Sequence, residues 1–389
     1  VSAAVSAILA AGGAHVCLNI SPHLVRINER IVIDGLAVED DLLDECATIV
    51  RSNADKVGVF LSFHEAITVC AFLVAQKSRV EFLVLEVGLG GRLDSSNVVS
   101  RPLVTAVTSI DFDHQHILGS TLDAIAREKA GIARPHVPMV LGPLGAEAIE
   151  ACRDVCRAVG APCVESGRDY TVGDPGSDGV ALLTFQGREV PFRPSLPGVH
   201  QYQNMAVAIV CGLLVGATED QCKQGVEGVF WPGRLEHLEI GSQRFLLDCA
   251  HNPAGVRALT SHLDRIGVRK VTMVFGVLDT KDYREMVEEL VPFVARWCLV
   301  TPNSIRSVHS DALADMVREI VSSPEVRIDS FHSDYAGCLE SVHRESYREG
   351  NVKPTDAPLC CIAGSMYMLG AMRALLNRRE RPLWSRRAE

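Results

Sequence analysis

At 389 residues, with 47% hydrophobic and 22% charged side chains, the chain has ordinary globular composition and the length of two domains, because single cores rarely grow past ~250–300 residues. A net charge of −10 argues against a non-specific nucleic-acid binder, which would be basic, but leaves an anionic small molecule open to local lysines and arginines. No apolar run approaches the ~18–20 residues of a membrane-spanning helix. The 13 cysteines include no C-x-x-C pair, which argues against a zinc ribbon and for small buried thiols in a reducing compartment.

Apolar strand-like runs alternate with helical patterns, the mark of α/β architecture. Residues 1–11 read as a helix; this opening lacks the basic flank of a signal peptide and starts at Val1, not Met, as though the chain began inside something longer. Residues 15–20 read as a strand, 38–52 and 63–78 as helices, and 81–87 and 103–109 as strands. A helix over 123–132, a short strand over 137–141 and a helix over 144–160 follow. From Gly167 to Pro197 the turn segment GDPGSDG and the short alternating stretches ALLTF and EVPF predict a small β excursion, and then a helix over 203–215. We place a domain boundary near Pro232. Beyond it WPGRLEHL restarts a βα series, with strands at 244–248, 270–277, 297–301 and 359–363. The arginine-rich tail from Arg378 reads as a frayed helix end with solvated charges.

Three blocks carry unusual chemistry. LEVGLGGRLDSSN sets Glu86 at the end of one apolar run, and TSIDFDHQHILG sets Asp111, Asp113, His114 and His116 beyond another. REKAGI places Lys129 in a short helix. Taken singly, Glu86 could be a salt-bridged carboxylate, His114 a structural histidine and Lys129 a solvated helix lysine. Together they lie where α/β sheets bind ligands, beyond the carboxyl ends of strands. A hard Mg²⁺ takes oxygen ligands and keeps waters, so one Glu, one His and a hydroxyl suffice when phosphate completes its shell. Gly88, Gly90 and Gly91 do not make a dinucleotide fingerprint, because a turn follows where a helix should open; they let the backbone pass close to a ligand or a packed element. Ser21 follows the first strand as a ligand or a turn former. Asp248 and His251 sit just past another strand, Asp248 as a helix N-cap or a ligand contact and His251 as a surface residue or a ligand contact.

In order, SPHLVRINERI (21–31), EVGLGGRLDSSN (86–97), DFDHQHILGSTLDAIAREKAGI (111–132), HQYQN (200–204), PGRLE (232–236), LDCAHNPAG (247–255), GVLDTKD (276–282) and GSMYMLG (364–370) resemble the folylpolyglutamate synthase/dihydrofolate synthase family of the Mur ligase superfamily. The resemblance implies a P-loop NTPase-type central domain over 1–232, truncated at its N-terminus, and a smaller Rossmann-like α/β domain over 233–389. It implies ATP-dependent addition of L-glutamate to folates, and to dihydropteroate in bifunctional members, through an acyl phosphate. Carried over, Ser21, Glu86 and His114 are Mg²⁺ ligands and Lys129 is a carbamylated lysine helping to hold a second metal. Asn204, Arg234, Asp248 and His251 contact ATP. The partners are small molecules, with neither nucleic acid nor membrane, and a cytoplasmic monomer is expected, a mitochondrial one remaining open.

Two departures stand out. Cys249 replaces the family's glycine in Asp-Gly-Ala-His-Asn-Pro, where its side chain could crowd the nucleotide. No G-x-x-x-x-G-K-[ST] occurs, and Val1 to Leu9 look like the helix that follows the family's phosphate loop. A chain so truncated is expected to be inactive on its own. Another Mur-type ligase and a non-catalytic pseudoenzyme are the alternatives.

Overall fold

The computed structural model describes residues 1–241, 243–321, 323–348, 359–376 and 383–384. The chain divides into two compact units, one of Val1–Ser195, His200–Phe230 and Arg381–Glu389, the other of Leu196–Val199 and Trp231–Glu380. The expected frayed helix from Arg378 falls on residues outside those described, apart from Leu383 and Trp384.

The first unit opens with α1 (Ser2–Ala11), β1 (Val16–Asn19), β2 (Ile31–Ile33) and β3 (Leu36–Ala37). Helix α2 (Asp40–Val57) outruns the expected 38–52 by five residues. Its last stretch is polar and carries no apolar period, and Gly58, left-handed at φ 67°, supplies the stop. Helix α3 (Phe63–Lys77) starts at a capping box in which the Glu65 amide donates to Ser62 Oγ and the Ser62 amide to Glu65 Oε2. Strands β4 (Phe82–Leu85) and β5 (Thr105–Val107), helices α4 (Gln115–Leu118) and α5 (Leu122–Ala130), β6 (Met139–Leu141), α6 (Ala146–Val159) and β7 (Cys163–Glu165) follow. The β excursion is an antiparallel sheet of β8 (Tyr170–Val172), β9 (Ala181–Phe185) and β10 (Arg188–Phe192), and helices α7 (His200–Leu214) and α8 (Glu219–Gly228) close the unit.

Two further sheets organise this unit, ordered β3-β2-β1-β4 and β5-β6-β7. In the first, β1 and β4 run parallel with Asn19 opposite Leu85. Helix α1 is apolar all round and is therefore buried rather than amphipathic. It packs on α7 and α8, where glycine is required at Gly225: a Cβ there would lie 2.5 Å from Ile8 Cα.

The second unit carries a six-stranded sheet ordered β11-β12-β16-β13-β14-β15. It comprises β11 (Glu236–Ile240), β12 (Gln243–Leu247), α9 (Pro253–Arg265), β13 (Val271–Phe275), α10 (Tyr283–Leu290), β14 (Val294–Leu299), α11 (Ser310–Ile320), β15 (Arg327–Ser330), α12 (Tyr335–Arg348), β16 (Leu359–Ala363) and α13 (Met366–Leu375). The expected βα series is found from β12 onward, where the strands are parallel, and it is preceded by a strand not expected from the sequence: β11 pairs antiparallel with β12 in a hairpin. The half-exposed β11 hides in the sequence because alternate residues face water. Strand β16 is buried along its whole length, as a strand covered on both faces must be. Phe275 and Trp297 meet edge-to-face at 6.0 Å in the core, each large side chain there contributing about 1.5–3 kcal/mol by burial.

Candidate active site

Strand pairing brings the first two expected ligands together. Because Asn19 lies opposite Leu85, Ser21 and Glu86 leave neighbouring parallel strands at the same edge, where strands are ~4.8 Å apart. The Glu86 amide extends the ladder by donating to the Asn19 carbonyl at 2.9 Å. Ser21 opens a loop held from within: the Glu29 carboxylate accepts from the amides of Leu24 (2.6 Å), Val25 (3.0 Å) and Arg26 (2.9 Å).

The loop beginning at Glu86 is fixed by Asp94, which the motif reading passed over. Its side chain is 3% exposed. Oδ2 accepts from the Gly88 and Leu89 amides, both at 3.1 Å, and Oδ1 from the Ser96 amide (2.9 Å) and hydroxyl (2.6 Å). His64 Nε2 stands 3.3 Å from the same carboxylate. Burial pushes the carboxyl upward, but the Ser96 and Leu89 hydrogen bonds and His64 outweigh it and hold it below its usual range.

The glycines serve close packing against α5. A Cβ on Gly91 would lie 2.7 Å from the Lys129 carbonyl oxygen, and one on Gly131 2.3 Å from Arg92 Cβ. The Arg92 amide donates to the Glu128 carbonyl at 2.9 Å, and Asn97 Nδ2 ties Arg92 O (3.0 Å) to Gly131 O (3.2 Å). The Glu86 loop is thus seated on the end of the helix that carries Lys129.

Lys129 is half-buried, which pushes its ammonium below the ordinary value, while Asp113 opposes the shift. That places Lys129 beside the 111–116 loop. There the Asp113 carboxylate accepts from the His114 amide at 2.9 Å, and His114 is left-handed at φ 51° with an exposed ring. Ser21 and Glu86 thus follow paired strands, the Asp113 charge that neighbours His114 also reaches Lys129, and the Glu86 loop packs on the helix that carries Lys129. A hydroxyl, a carboxylate and an imidazole suit a hard cation that retains waters.

Asn204, in the first turns of α7, is half-buried and donates to Gln201 Oε1 at 3.1 Å. The other expected nucleotide contacts belong to the second unit. Asp248 is buried, and both its oxygens are engaged: Oδ2 accepts from the Leu235 amide at 2.8 Å and Oδ1 from the Ala250 amide at 2.9 Å. Burial raises its carboxyl above the usual range despite those bonds and the nearby Arg234. It is not a helix N-cap; Asn252 caps α9, accepting from the Gly255 amide at 2.8 Å. Asp248 instead grips the residue after the exposed Arg234 and the residue before His251. His251 is half-buried rather than a surface residue. Its Nδ1 lies 2.9 Å from the Cys249 carbonyl, which can only accept, so Nδ1 carries the proton and Nε2 is the ring's variable atom.

Two residues to which the motifs gave no role, Glu236 and Arg373, support this turn. Glu236 accepts the Gly233 amide at 2.9 Å and pairs bidentately with Arg373, both contacts at 3.0 Å. Pro-Gly-Arg-Leu-Glu displays Glu236 in the sequence, but its partner lies over a hundred residues on. Cys249 is 4% exposed, and burial pushes its thiol up to about 12, so the side chain lies inside the unit and does not crowd the turn's surface.

The model of the family described as "Mur ligase, glutamate ligase domain" matches residues 233–351, inside the second unit, and this match gives the class of protein, a ligase. The chain belongs to the folylpolyglutamate synthase/dihydrofolate synthase family of these ligases. It is similar to the folylpolyglutamate synthase of Lacticaseibacillus casei, at 29% identity over 96% of this chain and 86% of that one. It is 31% identical to the dihydrofolate synthase/folylpolyglutamate synthase of Escherichia coli, over 75% of this chain and 67% of that one. A solved structure of E. coli FolC in complex with DHPP and ADP matches with a TM-score of 0.82 at 25% identity, covering 97% of this chain and 85% of that chain.

Proposed function

We propose that the protein is an ATP-dependent amide ligase that adds L-glutamate to the carboxylate of folates, and of dihydropteroate, through an acyl phosphate. The observation that carries this reading is the seating of the Glu86 loop on the Lys129 helix, in a chain similar to these ligases over nearly its whole length. The acceptor carboxylate attacks the γ-phosphate of ATP. The glutamate amine then displaces phosphate through a tetrahedral intermediate. Phosphoryl transfer asks little covalent help of a protein; it asks for positioning and neutralised charge.

Ser21, Glu86 and His114 hold Mg²⁺, which supplies charge neutralisation at the phosphate oxygens when bound. Burial makes the Lys129 ammonium give up its proton more readily than a free lysine, and the amine so formed would add CO₂ with loss of a proton, giving a carbamate with two oxygen donors. Arg234 presents a planar guanidinium suited to phosphate, and His251 Nε2 and Asn204 orient the nucleotide. Asp248 acts on ATP as a positioning residue, by holding the turns on either side. Residues 233–389 form the glutamate-ligase domain and residues 1–232 the ATP-binding domain. The enzyme works as a monomer on small molecules, without nucleic acid or membrane, in the cytoplasm. All 13 cysteines are unpaired thiols, as a reducing compartment requires. No helix among the described residues is long and apolar enough to cross a membrane.

Glutamate incorporation by the intact enzyme, measured with dihydropteroate, tetrahydrofolate and a UDP-muramoyl peptide, tests the reading. Turnover of either pterin is expected, and turnover of the muramoyl peptide alone would overturn it. Lys129→Ala should abolish activity and bicarbonate-free preparation should lower it; insensitivity to both leaves Lys129 structural.

A further inference from the structure

Away from the residues assigned to ATP, the carboxyl edge of the second sheet carries a second constellation. His309 caps the N-terminus of α11, Asp311 lies in that helix's first turn, and His332 follows β15. One ligand atom from each lies within 4.8 Å of the other two. Asp311 Oδ2 is 3.6 Å from His309 Nδ1 and 3.8 Å from His332 Nδ1, and the two imidazole centroids are 5.2 Å apart. All three side chains are exposed, so open positions would remain for water or a small ligand.

We propose that His309, Asp311 and His332 form a binding site for a divalent transition metal of the zinc class, distinct from the Mg²⁺ and ATP residues. Two imidazoles and one carboxylate are a borderline donor set, which suits zinc and its neighbours rather than magnesium. Donors around tetrahedral zinc, with bonds of 2.0–2.1 Å, stand ~3.3–3.4 Å apart. The observed carboxylate–imidazole separations exceed that by a few tenths of an ångström, which exposed side chains can close by small rotations.

The backbone under these ligands is anchored. The Ser310 amide donates to Thr301 Oγ1 at 2.9 Å, and the Thr301 amide to the His332 carbonyl at 2.7 Å. His332 is held left-handed at φ 50°, a conformation uncommon outside glycine. Ser330 Oγ donates to Asp311 Oδ1 at 2.7 Å, the outer-shell bond that orients a ligating carboxylate and leaves its other oxygen toward the histidines. Strands β12, β16, β13, β14 and β15 are successive parallel neighbours, so the cluster at the ends of β14 and β15 lies roughly 14–19 Å along the edge from β12, whose end carries Asp248. An ion there would staple the start of α11 to the exit of β15.

The test is calorimetric titration of metal-stripped protein with Zn²⁺ in excess Mg²⁺, with X-ray absorption of the loaded protein. Wild type should take up a single zinc that magnesium does not displace, with a shell of nitrogen and oxygen. The double variant His309→Ser/His332→Asn keeps a capping oxygen and a residue tolerant of the left-handed backbone, so it should melt like the metal-free wild type yet lose the binding. Ser330→Ala should weaken affinity by about 10–100-fold. Absence of saturable zinc uptake, equal uptake by the double variant, or sulfur in the shell (a cysteine site) would each overturn the proposal.

Discussion

Gly131 stands where two opposing effects can be separated by sign. Its backbone is right-handed, φ −59° and ψ −4°, so alanine fits it without strain. On conformational grounds alone Gly131→Ala should stabilise by about 0.4–1 kcal/mol, by restricting the unfolded chain. Packing opposes this, because the new Cβ would lie 2.3 Å from Arg92 Cβ and 2.7 Å from Arg92 Cα. Restoring an ordinary contact to a backbone atom requires the Glu86 loop to retreat by roughly 1 Å, at the ~1–3 kcal/mol typical of overpacking. The retreat also stretches the Arg92 amide bond to Glu128 and the Asn97 bridge, each worth about 0.5–1.5 kcal/mol.

The clash therefore wins, and the variant is destabilised by about 1–3 kcal/mol. A ~1 Å displacement of a loop that positions a ligand should also cost about 100-fold in kcat/KM. Urea unfolding and steady-state kinetics of the intact enzyme measure the two. Gly228→Ala is the control, since a Cβ there meets nothing within 4 Å; it should be neutral or mildly stabilising. A Gly131→Ala enzyme as stable as wild type with unchanged kcat/KM would refute the claim that this glycine exists to seat the loop.

Asp94 gives a pH-dependent prediction. Its folded carboxyl sits below the unfolded value of ~3.9, so its contribution is full above that value and is lost as pH falls through the folded one. Asp94→Ala should cost about 1–3 kcal/mol at neutral pH and flatten the acid limb of stability below about pH 4, read by denaturant melts across that range. Arg373→Ala should be severe, about 3–5 kcal/mol in urea unfolding, because it strands Glu236, whose side chain is 4% exposed. Glu236→Gln made together with Arg373→Met should recover part of that loss. Cys249→Gly restores the family's residue yet should lower stability by about 1–2 kcal/mol, through a small cavity and a freer unfolded chain, and leave KM for ATP unchanged. A lower KM would show that the thiol does crowd the nucleotide.

Strands such as Phe82–Leu85 and Leu359–Ala363 were legible because continuous apolar runs end in turn chemistry, and the ligand candidates could be placed at their ends without knowing a single contact. What the sequence hid was tertiary. Asp94 is one acidic residue in a turn until the Gly88 and Ser96 amides converge on it. Glycines 91 and 131 announce that something passes close, but not that each is the other's neighbour across a loop and a helix. The β11–β12 hairpin was missed because its outer strand is half-exposed and follows a glycine-containing turn that resembles a domain restart. His309 and His332 become neighbours only through the parallel pairing of β14 with β15, which no local spacing reveals.

The same device recurs in both units. Residues proposed to meet a charged ligand are exposed or half-exposed, where their own packing cannot hold them: Glu86, His114, Arg234. For Glu86 and Arg234 rigidity is supplied a few residues away at most, by a carboxylate buried among backbone amides. Asp94 gathers the amides beyond Glu86, Asp248 those beside Arg234 and His251, and Glu236 the amide of Gly233. Burying a carboxylate is costly unless its lone pairs are filled, so each such group tolerates few alternative backbone arrangements. Replacing an exposed ligand should therefore remove activity with little change in stability. Replacing its buried neighbour should lower both, and the ratio of the two losses separates contact from support at every position named.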